Sequence, residues 1–170
     1  MTKYYFTADL HLDHENIIKY TGRPFKSLEE MNKKLIKNWN SRVKEKDTIF
    51  HVGDFCFKGR KAEHWIEQLN GRIIFIKGNH DINNDVKSIV DNITIKHGGM
   101  KILLIHCARE AEHIEDFDFV LSAHVHEKWK HRYYNGTLLI NVGVDQWNFR
   151  PITINEILKY RNKILKAPLV

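Results

Sequence analysis

The stretch Asn70-Gly71-Arg72-Ile73-Ile74-Phe75-Ile76-Lys77-Gly78-Asn79-His80-Asp81 decides the fold. A turn pair launches a short run of β-branched and aromatic residues, the composition of a buried strand, and the run stops at a polar cluster. Working outward, the same figure recurs twice upstream. Tyr4-Tyr5-Phe6-Thr7-Ala8 ends in the polar residues from Asp9 to Glu15, and Thr48-Ile49-Phe50-His51-Val52 ends in Gly53-Asp54. Between the first two strands lies Ser27-Leu28-Glu29-Glu30, a capping-box pattern, followed by Leu28, Met31, Leu35, Trp39 and Val43 at helical spacing. A second helix is expected over Ala62 to Leu69. Strand, helix, strand, helix, strand predicts parallel βαβ units, with ligands beyond the carboxyl ends of the strands.

Downstream the helices thin out. Short strands are expected at Ile93 to Lys96, Lys101 to Ile105, Phe119 to Ser122, His131 to Tyr134, Thr137 to Asn141 and Ile152 to Ile154, with Asn135-Gly136 as a hairpin turn. A sheet that begins parallel and finishes in hairpins predicts an α/β fold of two packed mixed β-sheets flanked by helices. The basic tail from Lys159 to Val170 shows no clear core face and reads as a terminal helix or fraying end.

With 170 residues and 42% hydrophobic content, the chain can bury one core, so residues 1–170 are expected to form a single domain. No apolar run reaches the roughly 18 residues of a membrane span, and the N-terminus lacks an apolar signal region, which predicts a cytoplasmic location and no membrane partner. Cys56 and Cys107 form no motif and read as reduced thiols. The net charge of +6 suits an anionic partner, although 27 basic residues are interspersed with 21 acidic ones.

Five successive strand ends carry metal-ligand residue types: Asp9 with His11, Asp54, Asn79 with His80, His106, and His124 with His126. Singly, each has a plain explanation as a turn, cap or surface residue. Their recurrence at the same end of every expected strand does not. Carboxylates neutralise cations, imidazoles suit first-row transition metals, and an amide oxygen completes a shell without adding charge.

Asp9-Leu10-His11, Gly53-Asp54, Gly78-Asn79-His80-Asp81, the lone His106 and Ala123-His124-Val125-His126 resemble, in that order, the signature of the calcineurin-like metallophosphoesterases. The resemblance implies a four-layer αββα sandwich without a cap domain, and two divalent transition-metal ions such as Mn, Fe, Zn or Ni. It makes Asp9, His11 and His126 ligands of one ion and Asn79, His106 and His124 ligands of the other, with Asp54 bridging. It also places His80 at the substrate phosphate, with Asp81 orienting it. Hydrolysis would then proceed by a hydroxide shared between the ions, with no protein nucleophile. The family pattern usually has glycine where this chain has Ala123, a change that removes no ligand.

Three further residues are candidates for substrate contact: His14 beside the first motif, Arg23 in a Gly-Arg-Pro turn, and Trp147 as a nucleobase platform. For Arg23 a surface position, for His14 a helix-opening role and for Trp147 a packing role are the competing readings. The expected function is a phosphodiesterase on nucleotide-like or nucleic-acid-end substrates. A phosphomonoesterase or phosphoprotein phosphatase is the alternative, and a non-catalytic scaffold is disfavoured because every ligand position is filled.

Overall fold

The computed structural model describes residues 2–87 and 90–167. Strands β1 (Tyr4–Thr7), β2 (Thr48–Val52) and β3 (Arg72–Ile76) pair in parallel, joined by α1 (Glu15–Tyr20), α2 (Leu28–Arg42) and α3 (Ala62–Ile66). The second half adds β4 (Asn92–His97), β5 (Met100–Ile105), β6 (Phe119–Ser122), β7 (His131–Tyr134), β8 (Thr137–Asn141), β9 (Ile152–Thr153) and α4 (Ile154–Lys166). One mixed sheet has the order β3-β2-β1-β9 and the other β4-β5-β6-β8-β7. In the second sheet β5, β6 and β8 run parallel, and the antiparallel strands β4 and β7 form its edges.

The alternation of side chains along each strand sorts them into layers. Phe6, Ala8, Val52 and Ile76 of the first sheet meet Ile102, Leu104, Phe119, Leu121 and Ile140 of the second in the inter-sheet core. Tyr5 and Ile49 face the opposite way, onto Met31, Leu35 and Trp39 of α2. Ser27 caps that helix, accepting the Glu30 N–H at 3.1 Å, and the Trp39 indole donates to the Asn70 carbonyl at 2.9 Å. On the outer face of the second sheet, Leu103, Ile105, Val120 and Leu139 are covered by Ala108 and Ile114. Those two residues lie in short 3-10 turns at Ala108–Glu110 and Ile114–Asp116.

Two local expectations meet different outcomes. The β7–β8 hairpin turns at Asn135 and Gly136, both at positive φ, the conformation that a two-residue turn of this hand requires. The tail, in contrast, does have a core face. The Thr153–Glu156 capping box starts α4 at Ile154, and Ile157 is buried while Leu158 and Ile164 pack on the inter-sheet core. Reading the tail from Lys159 onward cuts off the first turn, which carries the buried positions. No helix among the described residues is long and apolar enough to cross a membrane.

Candidate metal centre

The parallel strands bring their carboxyl ends to one seam between the sheets. Asp9 and His11 follow β1, Asp54 follows β2, Asn79 follows β3, His106 follows β5, and His124 and His126 follow β6. Backbone bonds fix the first two loops together: the Asp9 N–H donates to the Gly53 carbonyl at 3.0 Å and the His11 N–H to the Asp54 carbonyl at 3.2 Å. Asp9, His11, Asp54, His124 and His126 all adopt left-handed backbone, with φ between 49° and 73°. Asp and His tolerate this region better than most residues, yet each such position stores on the order of 1–3 kcal/mol of strain that surrounding structure must hold.

Two glycines mark how closely the loops approach. A β-carbon on Gly53 would collide with the His106 ring, and one on Gly78 would collide with the amide and carboxylate of Asp54. Ala123, where a further glycine might have stood, donates its N–H to the His106 carbonyl at 2.9 Å and is not among the positive-φ residues, so its methyl is accommodated without strain.

Two groups of side chains offer converging ligand atoms. Asp9, His11 and His126 form one, and Asp54, His106 and His124 the other, with the atoms of each group within 4.8 Å of one another. The Asp54 carboxylate stands between them: Oδ2 is 3.5 Å from His11 Nε2 and 3.3 Å from His106 Nε2. The Asn79 amide oxygen completes the second group, 3.2 Å from His106 Nε2 and 3.0 Å from His124 Nδ1. His106 donates from Nδ1 to the Val52 carbonyl at 2.8 Å, which leaves Nε2 as its ligand atom.

The donor set fits divalent cations on two grounds. First, Asp9 Oδ1 and both ring nitrogens of His11 are buried with no hydrogen-bond partner among the described residues. Polar atoms so placed cost free energy unless something satisfies them, and a cation would. Second, the protonation states are polarised. Burial raises Asp9 to about 6 despite the nearby imidazoles. Burial would raise Asp54 too, but the hydrogen bond from His106, the charges of His106 and His11, and the His80 N–H hold it well below the usual carboxylate range. Burial works to lower His106, but Asp54 and Asp9 raise it to about 9. Burial drives His11 far down, keeping an imidazole with free lone pairs. Such a mixture of acidic and cationic groups is where a bound cation would take over the positive charge.

His80 and His14 line one cavity with His11 and His126, about 490 Å³ in volume. His80 is half-buried, its Nε2 4.0 Å from Asp54 Oδ2. His14 lies against Phe57, ring centroids 4.0 Å apart, with Nδ1 unpartnered among the described residues.

The roles expected of three residues are corrected. Asp81 does not hold the His80 ring: its carboxylate accepts the backbone N–H groups of Gly78, Asp54 and Phe55 at 2.7, 3.0 and 2.9 Å, tying the ends of β2 and β3 together. Arg23 does not turn outward to a phosphate. Its guanidinium is enclosed, donating to the carbonyls of Asp9 and Leu10 at 2.7 and 3.0 Å and to Asp145 at 2.8 and 3.0 Å. Trp147 does not border the cavity lined by His80 and His14. Its indole donates to the Asn141 carbonyl at 2.8 Å, and its ring packs on Tyr160 and under the Lys130 ammonium.

Asp145 is the residue that sequence reasoning missed. Its Oδ2 accepts from His126 Nδ1 at 3.1 Å while both carboxylate oxygens accept from Arg23. The chain Arg23–Asp145–His126 therefore fixes the imidazole with Nε2 free, the arrangement by which a carboxylate orients a metal-binding histidine. The 122-residue separation of Arg23 and Asp145 gives no local signal of it.

Comparison with known proteins agrees with this geometry. The family model described as "Calcineurin-like phosphoesterase superfamily domain" matches residues 4–154. The chain is 37% identical to "Uncharacterized protein MJ1445" of Methanocaldococcus jannaschii, covering 96% of this chain and 93% of that protein. It is 25% identical to the Gene 66 protein of Mycobacterium phage L5, covering 96% of each. Among solved structures, a protein of unknown function, AQ665 from Aquifex aeolicus, matches with a TM-score of 0.72 and 26% identity over 94% of this chain and 100% of that one.

Proposed function

We propose, from the premise that this chain belongs to the calcineurin-like phosphoesterase superfamily, that it is a phosphodiesterase acting on nucleotide-like or nucleic-acid-end substrates with two divalent transition-metal ions. The observation that carries this reading is the Asp54 carboxylate, placed between the two ligand groups within 3.5 Å of His11 and 3.3 Å of His106. Asp9, His11 and His126 would hold one ion, and Asn79, His106 and His124 the other, with Asp54 shared. Bound there, such ions supply Lewis acidity to a phosphoryl oxygen and acidify a water for attack on phosphorus.

The chain's own residues do the rest. Asp54 stays ionised throughout, because its neighbours hold its pKa low, and so keeps the two ligand groups charge-matched. Asp81 and the Gly78 close approach fix where that carboxylate points. Arg23 and Asp145 keep the His126 lone pair aimed inward. His80, half-buried on the cavity wall, would donate a proton to the departing ester oxygen, and His14 extends the same wall. Neither needs to contact an ion.

The test is hydrolysis of the mono- and bis-nitrophenyl phosphates by metal-loaded protein, wild type against Asp54→Asn. The bis-ester should turn over faster, and the variant should lose metal content and activity together. Preference for the mono-ester would replace this reading with a phosphatase. Failure to take up stoichiometric metal would replace it with a scaffold.

A further inference from the structure

We infer that a second cavity, on the His124 side of the centre, receives the other ester substituent of the substrate, and that this substituent is a nucleotide carrying a phosphate beyond the scissile one. This rests on the phosphodiesterase reading above.

The cavity measures about 380 Å³. His124 lies on its wall, as His11, His80 and His126 lie on the wall of the first. Lys128 borders both, so the two cavities share that lysine, and the second carries His124 of one ligand group on its wall. A diester has two substituents to place, and a phosphorus bound by the ligand groups would have the His80 cavity for one and the His124 cavity for the other.

Two kinds of group line the second cavity, each suited to one part of a nucleotide. Arg109, Lys128 and Arg132 supply positive charge, and among the described residues no Asp or Glu lines it. The first cavity sets Glu127 against its Lys128. A guanidinium pairs with phosphate oxygens through two parallel hydrogen bonds, so a further anion belongs on the His124 side. Trp129 is half-buried on the wall, with the Arg132 guanidinium 5.8 Å from its ring centroid. An aromatic face next to a guanidinium stacks a base of any sequence. The charge asymmetry gives the substrate a direction: its more highly phosphorylated side lies towards His124.

The test is equilibrium binding to metal-loaded protein of a dithymidine diester made hydrolysis-resistant by a methylene bridge, with and without a terminal phosphate. In the wild type the terminal phosphate should tighten binding about tenfold, the scale of one charge-assisted hydrogen bond. In Arg109→Gln/Arg132→Gln that gain should vanish. The double variant Lys163→Gln/Lys166→Gln, which removes equal charge from α4, should keep it. Binding should also quench Trp129, a signal lost in Trp129→Phe. The inference is overturned if the phosphate gain is absent in the wild type, survives in the arginine variant, or disappears equally in the lysine variant. Turnover of bis-nitrophenyl phosphate by the same preparation separates the two readings. Turnover without the phosphate gain sinks only the pocket, whereas the gain without turnover leaves an anion pocket and sinks the diesterase.

Discussion

Replacing Asp145 by Asn keeps the shape of the side chain and removes its charge, which isolates what the Arg23–Asp145–His126 chain does. In the native protein Asp145 accepts from Arg23 at 2.8 and 3.0 Å and from His126 at 3.1 Å, with 3% of its side chain exposed. An asparagine oxygen can accept only part of this set, and its NH₂ group would face a donor. Leaving a buried arginine without its counter-charge costs about 3–5 kcal/mol. At about 2–4 °C per kcal/mol for a chain of this size, the melting temperature should fall by about 6–20 °C. Loss of the carboxylate that fixes a ligating histidine costs a further factor of about 10–100 in metal affinity. Calorimetric melting of metal-free protein reads the first effect, and competition with a coloured chelator reads the second. The double variant Arg23→Met/Asp145→Leu separates them, because well-packed apolar residues can replace a buried ion pair with little loss of stability. Its melting temperature should recover in part while metal affinity stays low. Metal affinity that recovers along with stability, or that never falls in Asp145→Asn, would refute the view that Asp145 sets the state of His126.

Three further outcomes follow from the same geometry. His80→Ala should bind metal as the wild type does and lose rate by a factor on the order of 10² to 10⁴, read by parallel metal analysis and steady-state kinetics. Trp147→Ala should cost on the order of 3–5 kcal/mol of stability and lower turnover of nucleotide and nitrophenyl esters alike, because the indole is a packing group away from both cavities; a loss confined to nucleotide KM would contradict this. His51 is fully buried, both ring nitrogens lack partners among the described residues, and burial lowers its pKa to about 3. Its unfolded value lies near 6.5, so between those limits the unfolded chain binds more protons; the fold is most stable above that range and weakens as pH falls towards 3. The slope should drop by about 1.4 kcal/mol per pH unit in His51→Phe, measured by urea unfolding of chelated protein at pH 5 and pH 7.

What the sequence made legible was whatever a local pattern can encode. Apolar runs that stop at Asp9, Asp54 and Asn79 are strands because their composition and length leave few alternatives, and parallel pairing then carries those stops to one end. Ser27 announces α2 because a cap is satisfied within three residues. The illegible part is long-range or backbone-directed. Arg23 meets Asp145 across most of the chain, so its neighbours in sequence suggest only a turn arginine. Asp81 follows His80 and so suggests a partner for that ring, yet its carboxylate bonds three amides, which any sequence could supply. Trp147 sits in a loop, but the loop folds back on α4, whose start at Ile154 was itself obscured by a charged tail.

Each of the two ligand groups draws on both sheets. Asp9 and His11 follow β1 while His126 follows β6; Asp54 follows β2 while His106 and His124 follow β5 and β6. During synthesis, which proceeds from the N-terminus, neither group can close until β6 has emerged and docked. An ion therefore cannot template the early strands, as it does in small domains that are unfolded without metal. Loading therefore follows the docking of β6 onto the first sheet. Since imidazole and carboxylate donors accept several divalent metals in an order set by the metals themselves, an ion held in the seam would be decided by which one is available when the sheets meet.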